Sequence, residues 1–375
     1  MAPLRLVLRR GTVTAADPAP ATGEQRLVVT IDGAERQAIA DVAYVGPAEV
    51  GDDVVVNGQA VDLRLGSGGF DVVHVNLTRG LGSSGVDGAH VMKLNYSPLQ
   101  HAVLPIEREL LDLPTDADWT TYAPLAPEHP PSPQPAVGVF GLHGQLAPIA
   151  WAVAANAATP LRVGYVQTAG GALPGGHSRV VTDLLDRGLL VGHLAASPAY
   201  GGRDGEAITT IGAIDHALTV LGWDIALCGP GPGILGSGSR LGHGGMIALD
   251  TAHAALALGY PTTLCARMSA GDPRPRHRGL SHHTQTVVEL LLQPVQIALP
   301  TGTTPPEDHG FHAWSAHTAD LDGYVASGLP ARTMGRSSAE DPVFFEAALA
   351  CGMQLAAGPP PDDEDDAHDD GDGLP

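Results

Sequence analysis

The sequence predicts two parts: a small N-terminal β-barrel, and a Rossmann-like α/β domain with a doubly wound, mostly parallel sheet of about six strands. Three observations support this class. Residues 1–110 contain short, alternating, valine-rich runs separated by turn signals. From residue 137 onward, apolar strand-like runs alternate with amphipathic segments of helix length. Those later strand-like runs are almost continuously apolar, as expected for strands covered on both faces.

In the first part, runs such as QRLVVTIDG and DDVVVNGQAV are bounded by Asp32-Gly33, Gly51-Asp52 and Asn57-Gly58. Their length and spacing favour a small antiparallel barrel of the OB or SH3-like kind. Such barrels often bind nucleic acid, but the basic face with interspersed aromatic residues that this requires is not evident. We therefore expect a structural or docking domain over residues 1–110.

The remaining chain divides by composition. Residues 113–136 are proline-rich and predict a linker or a long surface loop. The α/β domain is expected over residues 137–305, followed by a helical extension over residues 306–357. Residues 358–375 carry a run of eight acidic side chains. Such a run repels itself and cannot bury apolar area, so we expect a disordered tail.

Within the α/β domain, five strand–helix units and a sixth strand follow one another. The predicted strands are AVGVFGL, LRVGYV, LLVGHLA, DIALCG, TTLCARM and VQIALP. The predicted helices between them are QLAPIAWAVAANA, HSRVVTDLLDRG, GEAITTIGAIDHALTVLG, HGGMIALDTAHAALALG and HHTQTVVELLLQ. This alternation is typical of parallel strands joined by crossover helices.

Charge and cysteine content exclude several function classes. The net charge of −21, from 20 Lys+Arg against 41 Asp+Glu, disfavours nonspecific binding to nucleic acid or anionic membrane. No signal peptide is visible and no apolar run reaches the ~18 residues of a membrane span, so a cytoplasmic protein is expected. The three cysteines form no CxxC pair, which argues against a zinc–thiolate site. The alanine-rich, lysine-poor composition is compatible with a homodimer.

Unusual residues concentrate in the strand-to-helix loops of the α/β domain. The helix-to-strand turns, such as DRG and LGYP, are plain, whereas the strand-to-helix loops carry glycine, histidine, arginine and serine. In open parallel sheets, ligands bind outside the carboxyl ends of the strands. We therefore expect a ligand site at this edge.

The loop after the fourth predicted strand contains G-x-G-x-x-G at Gly231, Gly233 and Gly236, followed by Ser237. A dinucleotide fingerprint belongs after the first strand and needs an acidic residue further on, so this match is weak. The glycines permit close backbone approach to a ligand and offer free N–H groups. A tight structural crossover is the alternative.

The loop DPRPRHRGLSHHT collects positive and titratable side chains. If the chain is extended, Arg274, Arg276 and Arg278 point to one side and form a fork for phosphate or carboxylate. Ser281 is the expected N-cap of the next helix, whose N-terminus favours an anion. The same arginines disfavour protonation of three histidines, which are then neutral near pH 7: His277, His282 and His283. The alternative is that the arginines pair with surface carboxylates.

Other candidates lie at the same predicted edge. His143 ends the first strand, and His143 or His282 is the expected general acid or base. His243 and Arg203 are further candidate ligand-binding residues. A metal site lacks a supporting motif such as HExxH, and the candidates for one are His177, His243, His277, Asp204 and Asp272.

Several stretches together resemble an uncharacterised bacterial family known as domain of unknown function 3866. These are LGSGGF, MKLNYSPLQ, LHGQLAP, GGALP, GGRDGEA, GPGPGILGSGSRLGHGG and DPRPRHRGLSHHT. The resemblance covers roughly residues 5–355 and implies a cytoplasmic bacterial protein. It implies no activity, cofactor or catalytic residue.

The leading functional hypothesis is an enzyme that acts on a phosphorylated or otherwise anionic small molecule, such as a nucleotide. The anion would lie against the 229–245 loop and the helix beginning at Ser281, clamped by Arg276 and Arg278. The first alternative is a non-catalytic sensor in which the α/β domain binds a metabolite and the barrel signals to a partner. Nucleic-acid binding through the barrel is a second alternative, which the net charge opposes. The residues identify no cofactor.

Overall fold

The structure, a computed structural model, describes residues 5–21, 23–65, 68–107, 134–306 and 310–358. The predicted linker up to residue 133 and the predicted acidic tail from residue 359 lie outside the described residues. Two main bodies of β-structure are present, a closed barrel and an eight-stranded sheet. The predicted fold class is therefore confirmed.

The N-terminal strands form a closed barrel in the order β1-β2-β3-β5-β4, with β4 pairing back onto β1. The Asp-Gly turn predicted at Asp32 and Gly33 joins β2 to β3, and both residues have positive φ, 49° and 79°. Pairing is antiparallel except between β3 and β5. The elements are β1 (Leu8–Ala16), β2 (Glu24–Ile31), β3 (Ala34–Asp41), α1 (Val42–Val45), β4 (Asp53–Asn57), α2 (Gln59–Asp62) and β5 (Asp71–Asn76).

A hairpin of β6 (Val91–Lys93) and β7 (His101–Val103) follows the barrel. Lys93, the only lysine in the sequence, is 2% exposed. Its Nζ donates to the carbonyls of Ala195 and Ala199, both at 2.7 Å, and pairs with Glu206 at 2.6 Å. One buried ammonium therefore fastens the hairpin to the α/β part of the chain.

Eight strands form an all-parallel sheet in the order β11-β10-β9-β12-β8-β13-β16-β17. All six predicted strands are present, and β11 and β17 are added at the two edges. The strands are β8 (Ala136–Val139), β9 (Val163–Thr168), β10 (His193–Ala196), β11 (Gly205–Ala207), β12 (Ile225–Pro230), β13 (Thr262–Leu264), β16 (Gln296–Pro300) and β17 (Ala313–His317).

Helices cover both faces of this sheet because its strands are apolar on both sides. In β12, Ile225 and Leu227 pack into one core and Ala226 and Cys228 into the other. The first core includes α3 (Leu146–Asn156), α4 (Arg179–Asp186), α8 (Leu321–Ala326) and α9 (Pro342–Ala357). The second includes α5 (Thr210–Thr219), α6 (Ile247–Ala257) and α7 (His282–Leu290).

Two short antiparallel ribbons complete the described secondary structure near the carboxyl edge of the sheet. One pairs β14 (Met268–Ser269) with β15 (Gly279–Leu280) and closes the 270–278 loop. The other pairs β18 (Arg332–Thr333) with β19 (Arg336–Ser337) and precedes α9. Within the described ranges, no helix has both the length and the apolar character needed to cross a membrane.

The barrel contacts loops that follow β9 and β10. His177 Nε2 lies 3.3 Å from the Asp41 carboxylate at the end of β3. The rings of Tyr44 and Tyr200 meet edge to face with centroids 4.8 Å apart. His177, a candidate metal ligand by sequence, therefore lies at the contact between the barrel and the sheet.

Candidate functional site

A small cavity lies outside the carboxyl ends of β8 and β13, between the starts of α6 and α7. The cavity has a volume of about 20 Å³, and its lining includes Gly141, Leu142, Gly245, Arg267, His283 and Thr284. The chain leaves β8 through α3 toward β9 and leaves β13 through α7 toward β16, in opposite directions along the sheet. Ligands of open parallel sheets bind where the connections diverge in this way. We call this place the β8–β13 crevice.

Arg267 lies just beyond β13 and brings a buried guanidinium to the crevice. The residue is 4% exposed, and Nη1 donates to His283 Nδ1 at 2.7 Å. Nη2 lies 3.8 Å from an Asp272 oxygen. Among the described residues, Nε has no hydrogen-bond partner. Burial lowers the pKa of Arg267 to about 10, with a contribution from Arg274, so the side chain remains positively charged at pH 7.

The carboxylates around Arg267 balance only part of the positive charge. Asp272 is fully buried and accepts hydrogen bonds from Arg274 at 2.9 and 2.8 Å, which hold the pKa of Asp272 well below its usual value. Arg336 donates to Asp341 at 2.9 Å and to Asp272 at 3.5 Å. Three guanidinium groups, including that of Arg267, thus face two carboxylates. The group carries one surplus positive charge.

Four imidazoles pack against one another next to Arg267. The rings of His243 and His283 are stacked, with centroids 3.4 Å apart and planes 7° apart. His282 lies edge-on to His283, with centroids 4.5 Å apart. The ring centroids of His277 and His282 are 4.8 Å apart. His277 Nδ1 is hydrogen-bonded to the Ser281 hydroxyl at 2.8 Å. The loops after β12 and β13 therefore converge on one cluster, which we call the histidine cluster: His243, His277, His282 and His283.

All four imidazoles are neutral at pH 7. Burial is the main cause, and it lowers the pKa of His243 to about 4, of His277 to about 3 and of His283 to about 2. The pKa of His282 is also lowered, first by burial and then by Arg276. The predicted neutral state of the loop histidines agrees with these shifts, although burial outweighs the arginines as the cause.

Three of these rings are close enough to share a metal ion. One nitrogen from each of His243, His282 and His283 lies within 4.8 Å of the other two. Asp272 and His277, candidate ligands by sequence, are instead engaged by the arginines and by Ser281.

The arginine fork predicted from the alternating loop sequence is not extended. Pro275–His277 form a 3-10 turn, which breaks the alternation. Arg274 is bound to Asp272, and Arg278 donates to the Asp272 carbonyl at 3.0 Å. The alternative of pairing with surface carboxylates does not describe these contacts either, because Asp272 is fully buried. Arg276 is exposed. Ser281 is the N-cap of α7, accepting from His283 N–H at 3.3 Å, as predicted.

The glycine-rich loop after β12 packs closely against the loop after β9. A Cβ at Gly231 would lie 2.3 Å from the Ala172 carbonyl oxygen, and Gly233 has a φ of 69°. Gly236 pairs with His243 in an isolated bridge, and the Ser237 hydroxyl donates to Gly242 O at 2.9 Å. The contacts observed here are those of the tight crossover, and this crossover carries His243 to the cluster.

His143 follows β8 but turns toward β9 and β12. Its Nε2 lies 2.7 Å from the Ser178 hydroxyl, and its Nδ1 lies 3.2 Å from the Pro230 carbonyl. Burial lowers the pKa of His143 to about 4. Arg203 is exposed and lies on this same side, where it contributes to the lowered pKa of His193. Neither side chain is brought to the histidine cluster.

Arg267 is the residue that sequence reasoning missed. It was absorbed into the predicted strand TTLCARM. The sequence did contain a signal. Arg267 is the one charged residue in the predicted strand TTLCARM, and it lies near the carboxyl end of that strand, where ligands of parallel sheets bind. Arg336 and Asp341 come from a segment far along the chain, and no local pattern connects them to the crevice.

Comparison with protein families gives one match. The model of a family described as "Protein of unknown function (DUF3866)" matches residues 37–352. Neither the curated proteins nor the solved structures give a match.

Proposed function

The chain belongs to the DUF3866 family, a family of unknown function, and we propose that it is an enzyme acting on a phosphorylated or otherwise anionic small molecule. The anionic group binds in the β8–β13 crevice. The observation that carries this proposal is the nearly buried Arg267 guanidinium, which belongs to a group with one more positive than negative charge and whose Nε has no hydrogen-bond partner among the described residues.

An anion in the crevice would complete the charge balance. Arg267 is almost fully buried, and its Nε has no partner among the described residues. Arg267 shares the Asp272 carboxylate with Arg274 and Arg336, and a buried charge that is only partly compensated is costly. A bound anion would offset that cost. The N-terminus of α7 and its N–H groups lie beside this guanidinium, since His283 is in the first turn. Both features favour negative charge.

The cavity as it stands has room only for water, so it must widen even for an anionic group and cannot enclose a whole ligand. Space of about 20 Å³ holds one or two water molecules, so a phosphate or carboxylate must displace this water and open the loops slightly. The rest of the ligand would lie toward the surface beside His282, where exposed Arg276 is close enough to help lower the pKa of that histidine. A nucleotide, anchored by its phosphates, is one ligand of this kind.

The neutral imidazoles supply groups for chemistry next to the anion. A neutral imidazole has one nitrogen that accepts a proton and one that donates. His282 has a buried Nε2 without a partner among the described residues, and His282 was a predicted general acid or base. His143, the other, has both nitrogens engaged, so we assign it a structural role.

The proposal is tested by calorimetry with inorganic phosphate, pyrophosphate and ATP. At least one should bind the wild-type protein, and Arg267→Met should weaken that binding about tenfold or more, because a charge-assisted hydrogen bond is lost. Arg187→Met is the matched control, since Arg187 pairs with Asp183 on the surface of α4. Absence of binding by all three anions, or equal binding by both variants, would contradict the proposal.

A metabolite sensor is the second candidate, because the barrel contacts the loops after β9 and β10 through Asp41 and Tyr44. Phosphate release from pyrophosphate or ATP separates the two. An enzyme should lose turnover more than affinity in His282→Ala. A sensor should bind the anion without releasing phosphate.

A further inference from the structure

We propose that His243, His282 and His283 bind a divalent cation of the zinc type, next to the anion in the β8–β13 crevice. This inference rests on the proposed function for the anion, and it names the metal that accompanies it.

The first support is that three imidazoles converge, and that two of them have buried nitrogen atoms without a hydrogen-bond partner among the described residues. One nitrogen of each ring lies within 4.8 Å of the other two. Among the described residues, neither ring nitrogen of His243 has a hydrogen-bond partner, and Nε2 of His282 has none. Buried polar atoms normally have a partner, so the unpartnered nitrogens of His243 and His282, which lie beside His283, indicate a missing ligand.

The second support is the chemistry of the donor set. Imidazole nitrogen suits Zn²⁺, Co²⁺, Ni²⁺ and Cu²⁺, whereas Mg²⁺ and Ca²⁺ prefer oxygen. Three histidines with a free fourth position are a recurrent zinc arrangement, in which water or substrate takes the open place.

Metal binding requires a defined rearrangement. A metal lies in the plane of each imidazole that binds it, so the stacked rings of His243 and His283 must turn apart. The nitrogens must also close to about 3.4 Å, the spacing around a tetrahedral zinc with ~2.1 Å bonds. At present His283 Nδ1 accepts a hydrogen bond from Arg267. A metal that uses this lone pair takes the place of Arg267 and releases its Nη1.

The released guanidinium links the metal to the anion. The surplus positive charge around Arg267 opposes any second cation, so metal binding alone is weakened. An anion held by Arg267 cancels that repulsion and can occupy the open position on the metal. Metal and anion should therefore strengthen each other's binding by the same factor.

Cobalt titration of the tag-cleaved wild-type protein tests the inference, because four-coordinate Co²⁺ absorbs strongly in the visible range. We expect one Co²⁺ per chain, and tighter binding when inorganic phosphate is present. His243→Gln and His282→Gln should each weaken Co²⁺ binding by about tenfold or more, because one of three ligands is lost. His216→Gln, on α5, is the matched control and should bind as the wild type does.

X-ray absorption of the wild-type Co²⁺ complex provides a measurement that does not depend on variants that fold poorly. Three imidazole ligands are expected. Fewer than two, no stoichiometric Co²⁺ uptake, or uptake that survives both glutamine substitutions overturns the metal site.

Arg267→Met distinguishes failure of this inference from failure of the proposed function. It removes both the competing hydrogen bond and one positive charge, so Co²⁺ should bind at least as tightly as to the wild type, while phosphate binding is weakened about tenfold or more. Co²⁺ uptake without any phosphate binding by the wild type would keep the metal site and refute the anion. Phosphate binding without Co²⁺ uptake would keep the anion site and refute the metal site.

Discussion

The Arg267 guanidinium donates to Nδ1 of His283 at 2.7 Å, and this bond joins the end of β13 to the first turn of α7. It fixes the tautomer of a neutral His283, because a ring that accepts at Nδ1 carries its proton on Nε2. It also holds a buried charge at the crevice without neutralising it. Stability and ligand binding are therefore expected to oppose each other at this residue.

Replacing Arg267 by methionine should stabilise the ligand-free protein by about 1 kcal/mol, because it removes the surplus charge and keeps an apolar stem. Arg274 and Arg336 would then face Asp272 and Asp341 in equal number. Urea denaturation at pH 7.5 in phosphate-free buffer measures the change. A loss of stability would show that the hydrogen bond to His283 outweighs the cost of the buried charge.

Replacing Asp272 by asparagine should destabilise the protein by about 3 kcal/mol, because three guanidinium groups would then face Asp341 alone. The matched control is Asp53→Asn, which breaks an exposed pair with Arg10 and should change stability little. Urea denaturation compares the two variants. Equal small effects would contradict the charge balance described here.

Ser178→Ala should cost about 2 kcal/mol. The Ser178 hydroxyl caps α4 by accepting from Val181 N–H, and it lies 2.7 Å from His143 Nε2. Thr209→Ala removes an exposed cap of α5 that accepts from Gly212, at a cost of about 1 kcal/mol. The larger loss of stability expected for Ser178→Ala than for Thr209→Ala comes from the His143 nitrogen, which is left without a hydrogen-bond partner. This difference would vanish if the contact with His143 contributed nothing.

Mild acid should destabilise the protein through its buried histidines. Burial lowers the pKa of His193 to about 3, against ~6.5 when unfolded. Below pH 6.5 the unfolded chain gains a proton that the folded chain does not. Stability therefore falls by about 1.4 kcal/mol per pH unit for this group as the pH drops toward 3. Carboxylates with lowered pKa, such as Asp272, lose their contribution only below about pH 4.

His193→Leu isolates this effect, since neither ring nitrogen of His193 has a partner among the described residues. Between pH 6 and 4.5, the slope of the free energy of unfolding against pH should decrease by the amount that corresponds to about one proton. His90→Leu, at an exposed position, should leave the slope as in the wild type. Stability curves measured at several pH values decide this, and an unchanged slope in His193→Leu would refute the assignment.

The sequence predicted the parallel sheet because its strands are buried on both faces and read as apolar runs. The sequence did not predict the two edge strands, GEA at Gly205–Ala207 and AWSAH at Ala313–His317. Both are short and carry polar residues, so they lack the apolar run that identifies a buried strand. The environment of the single lysine could not be predicted from the sequence. Whether Lys93 lies in water or binds three oxygens across a domain contact depends on residues more than a hundred positions away.

By itself, the sequence determined which loops collect the charged and titratable side chains, and topology brings these loops to one edge because they follow the carboxyl ends of parallel strands. It also placed Ser281 at the start of α7, because a cap is decided within a few residues. Only the tertiary structure decided that His143 turns away from the crevice, that Arg274 binds Asp272, and that Arg267 holds the unmatched charge. Side-chain pairing and burial depend on neighbours brought together by folding, which no local pattern records.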